Sequence, residues 1–227
     1  MAIACYLAMT AAEFSVCTSL PPHIGWLACH FSSSGPGLSN MPKALPPDSV
    51  LIVDDSTPFH DHRADVILGQ LQEAADAMQL RAILLDFQRE KRPEVQSLAT
   101  MLQRELPCPV AAPPEYALND YPVFVAPCPL NRPLKKHLAP YPGRQIWLDI
   151  SPLPAQITVT PKGSHYEALK EIRSTPHWEP ALHCHYNIDI EDERIVFTLV
   201  RDLESWHQEA EALGVTAGIG LYQEFKK

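Results

Sequence analysis

Eight short apolar runs recur along the chain, each bounded by polar or turn-forming residues. The runs are continuous rather than alternating, which is typical of strands that are buried on both faces of a parallel sheet. In chain order they are IACYLAM, GWLACHF, SVLIVDD, AILLDFQ, PVAAPPE, YPVFVAP, QIWLDIS and AGIGLYQEF. Prolines follow several runs, and because proline rarely lies inside a central strand, they mark the loops that leave the strand ends.

Amphipathic stretches between these runs predict helices. HRADVILGQLQEAADAMQL and PEVQSLATMLQREL both carry apolar residues at helical spacing, and the second opens with a proline suited to the first helical position. In DLESWHQEAEALG, Asp202 is the predicted N-cap and Gly214 the predicted stop. Strands that alternate with helices in this way indicate right-handed βαβ units.

Residues 155–201 break this alternation. AQITVTPKG, HCHYNIDI and RIVFTLV alternate between apolar and polar positions, which predicts an inserted antiparallel α+β piece. Eight core strands plus an insertion favour an α/β fold: one (β/α)8, TIM-barrel-like domain over residues 1–227, with some helices shortened or missing. A doubly wound open sheet is the alternative.

Composition narrows the function classes. A formal net charge of -9 argues against a nucleic-acid partner, because phosphate binding requires clustered Lys and Arg. The apolar start MAIACYLAMTAA lacks a basic region and is too short to span a bilayer, so no membrane partner is expected. Six scattered cysteines without a C-x-x-C motif indicate buried free thiols in a reducing cytoplasm. The sequence predicts no oligomeric state.

Strand parity predicts which side chains reach the mouth of the barrel. In (β/α)8 barrels the catalytic groups lie at the carboxyl ends of strands, and alternate side chains point inward. Asp86 and Gln88 share the inward face of the fourth run, and Trp147 and Asp149 share that of the seventh. In the last run the predicted inward residues are Gly218, Gly220, Tyr222 and Glu224, and the predicted outward residues are Ile219 and Leu221.

These positions define a predicted pocket. Its candidate catalytic residues are Asp86, Gln88 and Glu224, and its candidate ligand-binding residues are Trp147, Asp149, Tyr222, Asp55 and Glu115. Trp147 and Tyr222 have the parity that a stacking platform for a sugar ring requires. The expected ligand is a carbohydrate or a similar small polar molecule.

The run AILLDFQ in fourth-strand position resembles the end of the D-x-x-D-x-D-x-E signature of family 18 glycoside hydrolases, the chitinase-like barrels. Asp86 falls on the last aspartate of that signature and Gln88 on the acid/base glutamate. An α+β insertion before the seventh helix and a final GIGLYQEF, where the family usually has G-x-x-x-W, are also similar. The resemblance implies a glycosidase-like barrel.

The sequence departs from the signature at the position that matters most for cleavage. Arg81 and Leu84 stand where the family has its first two aspartates, and Gln88 stands where it has the acid. A glutamine amide has no proton to give to a leaving group, so the resemblance implies sugar binding without the usual hydrolysis. Glu90 could serve as the acid only if the strand register shifted by two residues, and Glu115 or Glu224 only by coming from another strand.

Two His-x-His pairs offer an alternative, a metal-dependent hydrolase. The pairs are His60 with His62, near Asp54 and Asp55, and His183 with His185. The first pair follows Pro58 in a predicted solvated turn, and the second lies in the inserted hairpin, so the leading hypothesis includes no metal. No nucleotide motif is present, and no cofactor is predicted. A structural or interaction protein without a working site is the third hypothesis.

Overall fold

The computed structural model describes residues 3–60, 62–89, 91–152, 154–169, 174–191 and 193–225. In chain order the elements are β1 (Ala4–Met9), α1 (Ala11–Val16), β2 (Ile24–Phe31), β3 (Leu38–Ser39), β4 (Val50–Asp54), α2 (Ala64–Met78), β5 (Ala82–Asp86), α3 (Pro93–Glu105), β6 (Val110–Ala111), β7 (Val123–Val125), α4 (Leu134–Leu138), β8 (Ile146–Asp149), β9 (Ala155–Thr160), β10 (Gly163–Ala168), β11 (His177–Glu179), β12 (Cys184–Glu191), β13 (Arg194–Arg201), α5 (Leu203–Ala212), β14 (Val215–Leu221) and α6 (Tyr222–Phe225).

Eight parallel strands form a nearly closed, barrel-like sheet. Their order is β6-β5-β4-β2-β1-β14-β8-β7, and the short β3 pairs antiparallel with β2. An isolated parallel bridge between Ala112 and Val123 links the two ends of this order, and the Phe124 N–H donates to the Ala112 carbonyl at 2.7 Å. The eight apolar runs of the sequence form these eight strands. The prediction of a mixed α/β fold with a barrel-like parallel sheet is therefore confirmed.

Among the described residues the helices are fewer than the strands. The three predicted amphipathic stretches form α2, α3 and α5, whereas the links 32–49 and 112–122 contain no helix. Helix α5 begins where the Asp202 carboxylate accepts a hydrogen bond from the Ser205 N–H at 3.0 Å, and it is followed by Gly214 at φ +90°. Both ends of this helix match the sequence prediction, because the capping side chain and the left-handed glycine act locally.

Apolar side chains fill the inside of the sheet and separate layers outside it. The interior cluster includes Tyr6, Ile52, Leu84, Phe124 and Trp147. Outside, α2 and α3 pack over one part of the sheet, and α4 and α5 pack over another. Burial on both faces explains why the strands read as continuous apolar runs.

The predicted parity of β14 is wrong. Ala217 and Ile219 belong to the interior cluster, whereas Gly218 and Gly220 face outward. A Cβ on Gly218 would lie 2.3 Å from the Ile150 Cδ1, so outer-layer packing excludes a side chain there. A register shift between Val215 and Ala217 displaces the alternation. Because α6 begins at Tyr222, strand parity does not extend to Tyr222 or Glu224 either.

Residues 155–201 form a second sheet. It has five antiparallel strands in the order β10-β9-β13-β12-β11. The helical part of the α+β prediction finds no counterpart in residues 154–169, 174–191 and 193–201, since the alternating pattern there supports strands. At the base of this sheet Ala155, Cys184 and Leu199 are buried together with Leu130, which follows β7.

Two further observations concern the chain as a whole. None of the helices formed by the described residues has the length and apolar character needed to cross a bilayer. All six cysteines are unpaired, and Cys29, Cys128 and Cys184 are buried.

We expect Gly220→Ala to destabilise the fold by about 1–3 kcal/mol, because a Cβ there would lie 2.4 Å from the Phe225 ring and 3.0 Å from the Ile150 carbonyl oxygen. Gly69→Ala in α2 is the control. Its Cβ meets no atom within 4 Å, so the helical alanine should stabilise by about 0.5–1 kcal/mol. Urea unfolding measures both changes. Equal effects of the two substitutions would contradict the packing assigned to β14.

Candidate functional site

A cavity of about 460 Å³ opens at the carboxyl ends of four neighbouring strands, β5 to β8. Its polar lining residues are Asp86, Gln88, Glu115, His137, Tyr141 and Asp149. Phe87, Phe124, Val125, Ala126 and three prolines complete the wall. The cavity therefore combines a partly aromatic wall with side chains that donate and accept hydrogen bonds, as small-ligand sites commonly do.

Asp86 ends β5 and lies half-buried in this cavity. The predicted alternation of this strand is present, since Ala82 and Leu84 face the interior and Ile83 faces the helices. The Gln88 side-chain amide donates to Asp86 Oδ1 at 3.0 Å. Burial raises the pKa of Asp86, the hydrogen bond from Gln88 lowers it, and the nearby charges of Asp54 and Asp55 raise it. Gln88 thus fixes the orientation of the Asp86 carboxylate.

Asp55 holds the segment that carries Gln88. Its buried carboxylate accepts hydrogen bonds from the backbone N–H groups of Gln88 and Arg89, each at 2.9 Å. The Arg89 side chain returns to the backbone of the same region, donating from Nε to the Asp55 carbonyl at 2.6 Å and from Nη2 to the Ser56 carbonyl. Asp55, predicted as a ligand-binding residue, therefore positions the loop after β5. Glu90 lies outside the described residues.

Asp149 ends β8 and lines the same cavity as Asp86. Its pKa is raised from the ordinary value of 3.8 to about 7, chiefly by burial and then by the charges of Asp86 and Glu224, against a smaller opposing effect of the Ile150 N–H. A carboxyl group with such a pKa exchanges its proton near neutral pH. This is the property that distinguishes acid–base groups in active sites from ordinary surface carboxylates.

The remaining wall comes from the segments after β6 and β7. Glu115 lies in the turn that follows β6. His137, in α4, donates from Nε2 to the Ala126 carbonyl at 2.8 Å, which fixes the ring against the loop after β7. Burial raises the pKa of Tyr141, and the Glu115 charge adds to this effect. His137 and Tyr141 were missed in the sequence, because only the approach of α4 to the strand ends brings them to the cavity.

Three predicted site residues, Trp147, Tyr222 and Glu224, lie outside this cavity. Trp147 is buried inside the barrel, stacked on Tyr6 with ring centroids 6.1 Å apart and planes 6° from parallel. It lines a separate cavity of about 280 Å³ with Arg81 and Gln145, near the amino ends of the strands. The Tyr222 hydroxyl lies 3.5 Å from Cys17 Sγ, beyond the end of α1. Glu224 acts on Asp149 through its charge but does not line the cavity.

The histidine pairs have other partners. His62 donates from Nε2 to the Ser32 carbonyl at 2.8 Å, and its Nδ1 accepts from the His60 N–H at 3.0 Å. In the second pair, His183 Nε2 lies 2.7 Å from Glu209, and the ring of His185 packs on Trp178 at 4.8 Å between centroids. Within the described part of the chain no three His, Cys, Asp or Glu side chains are grouped to hold a metal ion.

Comparison of the chain with protein-family models, with curated proteins and with solved structures found no match.

Asp55→Ala should destabilise the protein by about 1.5–3 kcal/mol, because two backbone N–H groups lose a charged acceptor. The amides of Gln88 and Arg89 should also exchange hydrogen faster. Asp65→Ala removes only an exposed ion pair with Arg63, so it should change stability by less than about 1 kcal/mol. Chemical denaturation measures the change in stability, and amide hydrogen exchange measures the protection of the two N–H groups. Unchanged exchange at Gln88 and Arg89 would refute the role assigned to the Asp55 carboxylate.

Asp149 should make folding stability fall as pH rises. The folded protein retains the Asp149 proton between the ordinary value of 3.8 and about 7, whereas the unfolded chain has lost it. The stabilisation is therefore complete below this interval and lost as pH rises through it, by at most about 1.4 kcal/mol per pH unit and less because the side chain is partly exposed.

Because Asp149→Asn cannot ionise, it should gain stability relative to the parent protein between pH 5 and pH 7. Urea unfolding at both pH values measures the difference, with Asp76→Asn on the exposed side of α2 as control. The prediction fails if Asp149→Asn and Asp76→Asn show the same pH dependence.

Proposed function

We propose that this protein is a glycosidase-like (β/α)8 barrel that binds a neutral carbohydrate or a similar polyol in the cavity at the carboxyl ends of β5 to β8. The observation that carries the proposal is the joint placement of Asp86, Gln88 and Asp149 on the wall of that one cavity. Its volume, about 460 Å³, lies within the roughly 300–1,000 Å³ of small-ligand sites.

The arrangement of the strands supports the (β/α)8 assignment. Going around the sheet from β1, each strand neighbours the next barrel strand along the chain until β14 returns to β1, with the weak link between β6 and β7. In barrels of this architecture binding sites lie at the carboxyl ends of the strands. The cavity occupies that position.

The charge of the wall argues against an anionic ligand. Asp86, Asp149 and Glu115 supply carboxylates, and the described lining residues include no Lys or Arg. Anionic ligands such as phosphates would meet like charge there. Sugar hydroxyls, in contrast, can donate to the carboxylates and accept from the Gln88 amide, while Phe124 and Tyr141 offer apolar ring surface.

Gln88 supports binding over the cleavage chemistry of the family that the sequence resembles. In the sequence resemblance Gln88 falls on that family's acid. Its amide donates to Asp86 and carries no acidic proton. The described residues supply no cluster that favours the metal-dependent alternative.

Isothermal titration calorimetry with chito- and gluco-oligosaccharides tests the proposal. The parent protein should bind one of the two series. Asp86→Asn, which keeps the shape but removes the charge, should weaken binding about tenfold or more, as expected for loss of a charge-assisted hydrogen bond. Asp76→Asn is the matched control and should bind like the parent. Absence of binding, or equal affinity in Asp86→Asn, would refute the proposed pocket.

A further inference from the structure

We propose that Asp149 is the proton donor of a glycoside-cleaving reaction in the carboxyl-end cavity, the role that Gln88 cannot fill. The inference rests on the proposed function, because it requires a glycoside bound in this cavity. It goes beyond that function by assigning cleavage to the site and by placing the acid on β8 rather than on β5.

Geometry places the two carboxyl groups on the wall of one cavity. Asp86 ends β5 and Asp149 ends β8, with β6 and β7 between them in the sheet. Both side chains follow inward-facing residues, Leu84 and Trp147, and both line the same cavity. A ligand that fills the cavity therefore contacts both carboxyl groups. Two carboxyl groups that flank a bound sugar are the arrangement on which glycoside hydrolysis depends.

The surroundings of each carboxyl group assign its role. The charge of Asp86 contributes to the raised pKa of Asp149, whereas the charges acting on Asp86 are those of Asp54 and Asp55. Asp86 therefore ionises first, and Asp149 keeps its proton close to neutral pH, where its pKa is about 7. Two carboxyl groups with unequal environments divide into an acid and a carboxylate in this way.

The other ionisable groups near Asp149 do not offer an equivalent acid. Glu224 on α6 acts on Asp149 as a negative charge. Across the cavity, Glu115 is exposed, the Nε2 hydrogen of His137 is held by the Ala126 carbonyl, and the pKa of Tyr141 is raised above that of an ordinary phenol. Asp149 combines burial, position on the wall and an available proton.

The reaction balances with water as the co-reactant. The Asp149 carboxyl group donates its proton to the glycosidic oxygen as the bond between C1 and that oxygen breaks, and the bonding electrons leave with the oxygen. The ionised Asp86 stabilises the positive charge that develops at C1. Water then adds its hydroxyl group to C1, and its remaining proton restores the acid form of Asp149.

Asp149→Asn separates this role from binding. The substrates are α- and β-linked 4-methoxyphenyl and 2,4-dinitrophenyl glycosides of glucose and N-acetylglucosamine. The poor 4-methoxyphenyl leaving group needs a proton, so Asp149→Asn should cleave it about 100-fold more slowly. The 2,4-dinitrophenyl group leaves without protonation, so its cleavage should change little, which also shows that the variant is folded.

The pH profile supplies a second readout. For the parent protein, kcat/KM toward the 4-methoxyphenyl glycoside should fall as pH rises through about 7, the pKa of Asp149. This limb should vanish in Asp149→Asn and persist in Asp76→Asn. Oligosaccharide binding, measured by calorimetry, should be unchanged in Asp76→Asn and should remain measurable in Asp149→Asn, whose side-chain amide keeps the shape of the carboxyl group.

The possible failures are distinguishable. If an oligosaccharide binds but the parent protein cleaves neither glycoside, or if Asp149→Asn cleaves the 4-methoxyphenyl substrate as fast as the parent, the assignment of Asp149 is overturned while the binding function stands. If nothing binds and nothing is cleaved, both proposals are overturned.

Discussion

Parallel pairing around the barrel-like sheet is the constraint on which the candidate site depends. Because the eight strands run in one direction, their carboxyl ends meet at one mouth, and the residues that end them come together. Asp54 and Asp86 are paired in register on β4 and β5, and Asp149 ends β8. The sheet thereby gathers carboxyl groups that are far apart in the sequence. Burial, and then repulsion from neighbouring carboxylates, raises the pKa of Asp86 and Asp149.

Such a cluster opposes folding unless some of its members are hydrogen-bonded or protonated. Asp55 is satisfied by two backbone N–H groups, and Asp86 by the Gln88 amide. Asp149 has no comparable side-chain donor among the described contacts. Because its pKa is raised, it keeps its proton to higher pH, which reduces the free-energy cost of burying the carboxyl group. A carboxyl group that keeps its proton near neutral pH can also act as an acid. Strongly shifted pKa values are for this reason common at functional sites.

Much of the fold follows from local patterns. The eight apolar runs are the eight barrel strands, and the helices α2, α3 and α5 lie where the amphipathic spacing predicts them. Alternation also assigns Asp86 and Asp149 to the inside of the sheet. These features are predictable because burial on both faces, helical spacing and N-capping each leave a pattern within a few neighbouring residues of the sequence.

Alternation has limits that explain the failures. It predicts which face of the sheet a side chain is on but not how far along the barrel axis it lies. Trp147, two residues before Asp149, lies about 7 Å further from the carboxyl end of β8, so it fills the inside of the barrel rather than the cavity. In β14 the glycines have no side chain whose polarity could indicate the inward face. Their outward position depends on packing against Ile150 and Phe225, which lie in other segments of the fold. The hydrogen bonds from Gln88 and Arg89 to Asp55 and the position of His137 at the cavity likewise depend on contacts between distant segments.

The central claim is that the sheet brings Asp86 and Asp149 to one cavity, where the negative charge of Asp86 contributes to the raised pKa of Asp149. Carbon-13 NMR titration of the aspartate carboxyl groups, assigned with Asp149→Asn, tests it most directly. The account predicts that Asp149 titrates near pH 7 in the parent protein and at lower pH in Asp86→Asn. Titration of Asp149 near its ordinary value of 3.8, or at the same pH in both proteins, would contradict it.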